Sequence, residues 1–163
     1  MAGKFAFALA AILIAAIQVS AQPAATTEDR YVGYYYPAPT STEVFESKLQ
    51  TLPGADRAQR VQFTTIVAQG TLQGSYRFPY AVFVKGGPAE RLIIVGLQPG
   101  ELSTIYRMRA VLANMTAQSR LSSFFQERTI AEDSTFFDLL KMLGFKSVTI
   151  TDGEKLTHQV TIK

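Results

Sequence analysis

The stretch that decides the fold is residues 80–97, which read Tyr-Ala-Val-Phe-Val-Lys-Gly-Gly-Pro-Ala-Glu-Arg-Leu-Ile-Ile-Val-Gly-Leu. Two apolar runs rich in β-branched residues flank a break that contains Gly-Gly-Pro, and this pattern predicts a β-hairpin. Successive side chains of a strand point to opposite faces, and here both faces are apolar. Strands of this kind are usually central and covered on both sides. We therefore expect the rest of the chain to supply two covering layers.

A second hairpin is predicted over residues 147–162, where apolar and polar residues alternate. Each strand then has a single apolar face, which is typical of a half-covered antiparallel sheet. Matching the faces across the pair favours a three-residue turn over 151–153 that sets Val148 opposite Leu156. His158 falls on the apolar face, so we predict a structural imidazole with hydrogen-bond partners.

Helical periodicity marks three further segments of the chain. They are residues 55–69, 103–121 and 135–143. The spacing places Ile66 on the buried face of the first and Met108, Met115 and Ser119 along one buried stripe of the second, and Ser134 is the expected N-cap of the third. Residues 40–43, Thr-Ser-Thr-Glu, have the spacing of a capping box and predict the start of a short helix, although Thr and Val also permit a strand there.

The order of these elements indicates the α+β class. We expect an antiparallel sheet built from the hairpins at about 80–97 and 147–162, with two to four helices packed mainly on one face. A Tyr-rich extended segment could cover part of the other face. Residues 31–163 are predicted to form one domain, because no linker divides them.

The first 21 residues have the features of a secretory signal peptide. Lys4 supplies a positive charge, and residues 5–17 form an apolar run too short to span a bilayer comfortably. Small residues then occupy the −3 and −1 positions of a signal peptidase site that ends at Ala21. We predict cleavage after Ala21, a flexible leader over 22–30, and a periplasmic or secreted protein without a stable membrane anchor. An uncleaved anchor is the alternative.

The composition excludes several kinds of chemistry. The 163 residues include one His and no Cys, so disulfides, thiolate nucleophiles and zinc–thiolate sites are absent. The sequence also lacks the P-loop ending and the Gly-x-Ser-x-Gly elbow. A formal charge of +3 with dispersed basic residues does not indicate a nucleic-acid partner. We predict no cofactor, no metal and no nucleic acid.

Two groups of side chains remain as candidates for a site. Four carboxylates close in sequence could supply a pair for acid–base catalysis, although the dipole of a following helix also explains acidic residues at its start. They are Glu127, Glu132, Asp133 and Asp138.

Four tyrosines are the candidate ligand contacts, because phenol rings stack on flat or cationic ligands. Alternatively, three of them pack on the sheet while Tyr35 faces water. The four are Tyr31, Tyr34, Tyr35 and Tyr36.

Several segments together resemble a family of small exported bacterial proteins. They are residues 31–39, 80–86, 92–97, 136–145, 148–153 and 158–162. Members are often labelled molybdopterin-guanine dinucleotide biosynthesis protein A, a label that implies a nucleotidyltransferase. True guanylyltransferases open on the Gly-rich loop Leu-Ala-Gly-Gly-x-Ser-x-Arg-Met-Gly, where this chain carries its predicted signal peptide. The resemblance thus implies an exported protein and assigns no functional residue.

The sequence favours an exported module that binds a protein or small-molecule ligand without catalysis. Two enzymes are the alternatives: the nucleotidyltransferase of the family label, or an exported hydrolase that uses carboxylates.

Overall fold

The structure, a computed structural model, describes residues 38–73, 79–121, 123–126 and 134–163. The strands in these ranges are β1 (Ser41–Phe45), β2 (Tyr80–Lys85), β3 (Arg91–Gly96), β4 (Ser147–Thr151) and β5 (Thr157–Ile162). The helices are α1 (Arg57–Gln73), α2 (Ile105–Leu121), α3 (Ser123–Gln126) and α4 (Phe136–Met142). The α+β class is confirmed. The predicted signal peptide and leader, the four tyrosines, Glu127, Glu132 and Asp133 lie outside the described residues.

The five strands form one mixed sheet in the order β1-β5-β4-β3-β2. β2 pairs with β3 and β4 pairs with β5 in antiparallel fashion, as the two predicted hairpins require. β3 and β4 are parallel, and so are β1 and β5. The expectation of a purely antiparallel sheet is therefore wrong. The chain crosses from β3 to β4 through α2, α3 and α4, and a connection of that length lets two strands run side by side in the same direction.

The segment that begins at Thr40 is a strand and not the start of a helix. β1 pairs with β5 in the register Ser41–His158 to Phe45–Ile162. The hydroxyl of Thr40 donates to the carbonyl of Thr157 and accepts from its N–H, at 2.9 and 3.0 Å. Thr40 thus uses the oxygen that would have capped a helix to hold the edge strand.

The turn between β4 and β5 is longer than predicted. Thr151 pairs with Thr157, which leaves residues 152–156 as the loop, and Val148 lies opposite Val160. One carboxylate oxygen of Asp152 accepts hydrogen bonds from the N–H groups of residues 154, 155 and 156, each at 2.9 Å. These three bonds stabilise the longer loop, while the matching of apolar faces that we predicted is kept.

The coverage of the two hairpins differs from the expectation in one strand of each, whereas β3 is buried on both faces as predicted. β2 is an edge strand, and Phe83 on it is 53% exposed. β4 lies in the centre, and all five of its residues are buried. The hydroxyls of Thr151 and Thr157 lie 2.9 Å apart and satisfy one another. Threonine can occupy the middle of a sheet when its hydroxyl is paired in this way.

One face of the sheet carries the core. Val82, Ile94 and Ile150 share a row across β2, β3 and β4, and they belong to one buried cluster with side chains of α2, α3 and α4. Phe63 of α1 contacts the rings of Phe136 and Phe145, so this helix lies on the same face. The described helices therefore pack on this face, as predicted. We call it the helix side and the opposite surface, which carries no described helix, the open side; residues of β3 and β4 on that surface are also buried.

The predicted helices are present with shifted ends. In α2, Met108, Met115 and Ser119 are buried as their spacing predicts. In α1, Ile66 was expected on the buried face but is 60% exposed. In α4 the N-cap is Thr135, one residue later than predicted. None of the described helices combines the length and hydropathy needed to cross a membrane.

Candidate functional site

Basic residues meet at the end of the sheet where β3 and β4 begin. The hairpin register places Lys85, at the end of β2, opposite Arg91, at the start of β3. The parallel pairing then places Ser147 beside Arg91, and Thr161 of β5 follows beside Ser147. Side chains that share a row across a sheet project from the same face. This row lies on the open side, because the neighbouring row holds the core residues of the helix side.

A cavity of about 390 Å³ lies over this row, and we call it the sheet-end cleft. Among the described residues, three basic side chains line it, those of Lys85, Arg91 and Lys146, together with one carboxylate, that of Glu90. Its other polar groups include the side chains of Ser147, Gln159 and Thr161. The lining thus carries a net positive charge and adds hydroxyl and amide groups that both donate and accept hydrogen bonds.

Glu90 and Lys146 form an ion pair at the rim of the cleft. Nζ of Lys146 lies 2.8 Å from a carboxylate oxygen of Glu90, and the two side chains are 72% and 24% exposed. The carbonyl of Glu90 also accepts from the N–H groups of Lys146 and Ser147, at 2.8 and 3.4 Å. The backbone contacts fix the two residues beside one another, and the Lys146 side chain is largely exposed to solvent.

The turn between β2 and β3 borders the cleft and is held from the helix side. Arg57 of α1 donates to the carbonyl of Gly87 at 3.0 Å. The guanidinium of Arg60 donates to the carbonyl of Pro88 through Nε and Nη2, at 3.1 and 2.8 Å. These bonds from one helix fix the turn, and so they fix the spacing of the strand ends that carry Lys85 and Arg91.

A second cavity of about 240 Å³ lies on the helix side of the ion pair, and we call it the helix-side cavity. Its lining shares Glu90 and Lys146 with the sheet-end cleft and adds two basic residues, Arg60 and Lys141. Arg60 is buried, and its hydrogen bonds go to the carbonyls of Ala55, Pro88 and Leu143. Carbonyl groups carry no net charge, so the positive charge of Arg60 remains part of the local field.

His158 is the other residue that could carry chemistry. It is 7% exposed and lies on the helix side, in the row of Ile150. Its Nδ1 lies 2.8 Å from Oγ of Ser41, and its Nε2 lies 3.3 Å from a carboxylate oxygen of Glu43. Both nitrogens are therefore satisfied by two residues of the same edge strand. The prediction of a buried, hydrogen-bonded imidazole is confirmed, and its two contacts help to hold β1 against β5.

Asp138 is the one predicted catalytic carboxylate within the described residues, and its oxygens serve the cap of α4. It accepts from the N–H and the hydroxyl of Thr135, both at 2.8 Å. Its other oxygen accepts from the hydroxyl of Ser47 at 2.6 Å. The side chain is buried. These hydrogen bonds account for the burial of Asp138 through its role in capping the start of α4.

The residues of the sheet-end cleft were not recognised from the sequence. Lys85 and Arg91 flank the Gly-Gly-Pro turn, so the predicted hairpin already places them opposite one another, and that signal was available. Lys146 joins them only through the parallel pairing of β3 with β4. That pairing leaves no local signature, because the two strands are far apart in sequence.

Comparison with known proteins gives no relative from which a function could be transferred. No family model, curated protein or solved structure matches this chain.

Proposed function

We propose that this protein is an exported binding module that holds an anionic ligand in the sheet-end cleft and performs no chemistry on it. The observation that carries the proposal is the convergence of Lys85, Arg91 and Lys146 on one cavity whose described lining holds one carboxylate. Arginine and lysine bind carboxylate and phosphate groups through charge-assisted hydrogen bonds, which are stronger than neutral ones.

The distribution of charge supports an anion. The described linings of the two neighbouring cavities hold five basic residues and one acidic residue, whereas the whole chain has a formal charge of +3. These linings are therefore more basic than the chain as a whole. A cavity lined by one sign of charge concentrates ligands of the opposite sign.

The contacts of the cleft favour binding over catalysis. Its described lining holds one carboxylate, Glu90, and this group is engaged with Lys146. Hydrolysis by a pair of carboxylates, the alternative considered from the sequence, needs a second such group. The hydroxyls of Ser147 and Thr161 line the cleft together with basic side chains, so they can add hydrogen bonds to a ligand that these side chains attract.

The test is a titration with citrate, a small polycarboxylate, at low ionic strength, followed through the backbone amide resonances of the purified protein. We expect the largest shifts at residues 85–91, 146, 147 and 161. Arg91→Ala should weaken the affinity by roughly tenfold. Lys155→Ala is the matched control, because it removes an exposed positive charge from the turn at the opposite end of β4. Equal effects of the two variants, or shifts scattered over the surface, would overturn the proposal.

The same titration separates the nucleotidyltransferase alternative from the binding module. GTP with Mg²⁺ should bind no more tightly than tripolyphosphate with Mg²⁺, because the cleft offers contacts for phosphate but no Gly-rich loop for a nucleotide. A clear preference for GTP would favour the enzyme implied by the family label.

Export is tested separately, by the intact mass of the protein recovered from the cell envelope. Cleavage after Ala21 predicts a chain that begins at Gln22. A mass that retains residues 1–21 would favour a membrane anchor instead.

A further inference from the structure

The sheet-end cleft and the helix-side cavity share two residues, Glu90 and Lys146. From this shared boundary we infer that the ligand is an extended acidic peptide segment of a protein partner, which lies across both cavities over the Glu90–Lys146 pair. This inference rests on the proposed function, since it names the ligand class of the same site.

The two cavities adjoin at Glu90 and Lys146, and each is lined by further basic residues. The open side contributes Lys85 and Arg91, and the helix side contributes Lys141 and the buried charge of Arg60. Lys146 stands between them, and its side chain is 72% exposed. Its ammonium group has three N–H donors, so Lys146 can contact a carboxylate of the ligand while it stays beside Glu90.

A ligand that occupies both cavities must be longer than a single small anion. The cleft is lined by residues of β2, β3, β4 and β5, and neighbouring strands lie about 4.8 Å apart, so its open side alone extends over roughly 14 Å. An extended dipeptide spans at most about 7 Å, whereas an octapeptide reaches about 26 Å. Of the two peptides, only the octapeptide is longer than this width and can continue from the cleft into the helix-side cavity.

The polar groups between the cations suit a peptide backbone. The hydroxyls of Ser147 and Thr161 and the amide of Gln159 each donate and accept hydrogen bonds. A peptide presents alternating N–H and C=O groups that need such partners. Single-stranded nucleic acid would instead need exposed aromatic rings on which its bases stack. Phe145 is the one aromatic residue in the described linings of the two cavities, and it is only 1% exposed.

The test compares N-acetylated, C-amidated diglutamate and octaglutamate by calorimetry with the purified protein, at one fixed low ionic strength. Lys141→Gln should lower the affinity for octaglutamate by about fivefold or more and leave the affinity for diglutamate unchanged, because only the longer peptide reaches the helix-side cavity. Arg91→Ala should lower the affinity for both peptides, and Lys155→Ala should change neither affinity. The melting temperature of each variant confirms that it is folded.

Each outcome decides between the two proposals. If diglutamate and citrate bind in the cleft and Lys141→Gln leaves octaglutamate unaffected, the anion site stands and the extended ligand is overturned. If neither peptide nor citrate binds, the proposed function itself fails. Octaglutamine should not bind. Tighter binding of an octamer of thymidylate or galacturonate than of octaglutamate would overturn the peptide as the ligand class.

Discussion

The Nη1 atom of Arg60 lies 2.9 Å from the position that a Cβ atom on Gly144 would occupy. Gly144 follows α4 with a φ of +78°, a left-handed conformation that suits glycine at the end of a helix. The missing side chain leaves room for the guanidinium, which donates to the carbonyl of Leu143 at 3.3 Å. One glycine thus ends a helix and admits the arginine that fixes the turn beside the sheet-end cleft.

Gly144→Ala should destabilise the protein by about 2–3 kcal/mol. The left-handed backbone costs an alanine about 1–2 kcal/mol, and displacing Arg60 from its carbonyl partners adds about 1 kcal/mol. Urea unfolding with an unchanged m-value measures the loss. Gly54→Ala is the matched control, because Gly54 has a φ of +85° and nothing within 4 Å of its added Cβ. Equal losses of unfolding free energy in the two variants would mean that Arg60 moves away from the added Cβ atom without destabilising the protein.

The sequence predicts those parts of the fold that depend on neighbours along the chain. The Gly-Gly-Pro break with apolar flanks correctly predicted β2 and β3, and spacing correctly predicted that Met108 and Met115 of α2 are buried. Alternation of apolar residues correctly predicted that His158 is buried. In each case the residues that decide the structure lie within one element or one turn.

The parts that could not be predicted depend on pairings between distant segments. Nothing near β1 indicates that Ser41 and Glu43 will contact His158, which is more than a hundred residues later. The parallel pairing of β3 with β4 brings Lys146 to Arg91 in the same way. The candidate site was therefore missed because its charges are dispersed in sequence and become neighbours only in the mixed sheet.

Asp138→Ala should cost about 2–3 kcal/mol of unfolding free energy. The change removes the acceptor for the backbone and hydroxyl of Thr135 and for the hydroxyl of Ser47, in a buried setting. Chemical denaturation measures the loss. Asp56→Ala is the control, because its exposed carboxylate accepts from the N–H of Gln59 in the first turn of α1 and such caps are worth about 1 kcal/mol. A loss no larger than that of the control would contradict the structural role of Asp138.

The turn around Asp152 should make stability depend on pH in the acid range. Partial burial alone would raise the pKa of Asp152, but the hydrogen bonds from the N–H groups of Glu154, Leu156 and Lys155 hold the pKa of this carboxyl below its usual value. Its folded-state pKa is therefore lower than its unfolded one. The resulting stabilisation is fully present above the unfolded pKa of about 3.9 and is lost as the pH falls through the folded value.

Asp152→Asn removes the titrating group and keeps one oxygen that can accept. The variant should be less stable than the wild type at pH 6, and the difference should shrink as the pH is lowered from about 5 to 2. Urea denaturation across this range gives the two curves. A difference that stays constant with pH would show that the charge of Asp152 does not stabilise the loop.

His158→Leu should leave the function of the sheet-end cleft intact. His158 lies on the helix side of the sheet, whereas the cleft opens on the other side. The neutral tautomer with its proton on Nε2 satisfies both contacts, donating to Glu43 and accepting from Ser41. Leucine fills the buried position, and Glu43, with a side chain 55% exposed, can turn to water. The loss of unfolding free energy should thus be at most about 1–3 kcal/mol, and it arises mainly from the unpaired hydroxyl of Ser41.

A double-mutant cycle with Ser41→Ala isolates that contact. If the hydroxyl of Ser41 is the partner left unsatisfied, the two substitutions together should cost less than the sum of the single losses, by about 0.5–1.5 kcal/mol. Citrate affinity, measured on the same proteins, should match that of the wild type. A folded His158→Leu protein that no longer binds citrate would show that this imidazole takes part in binding and does more than tether β1.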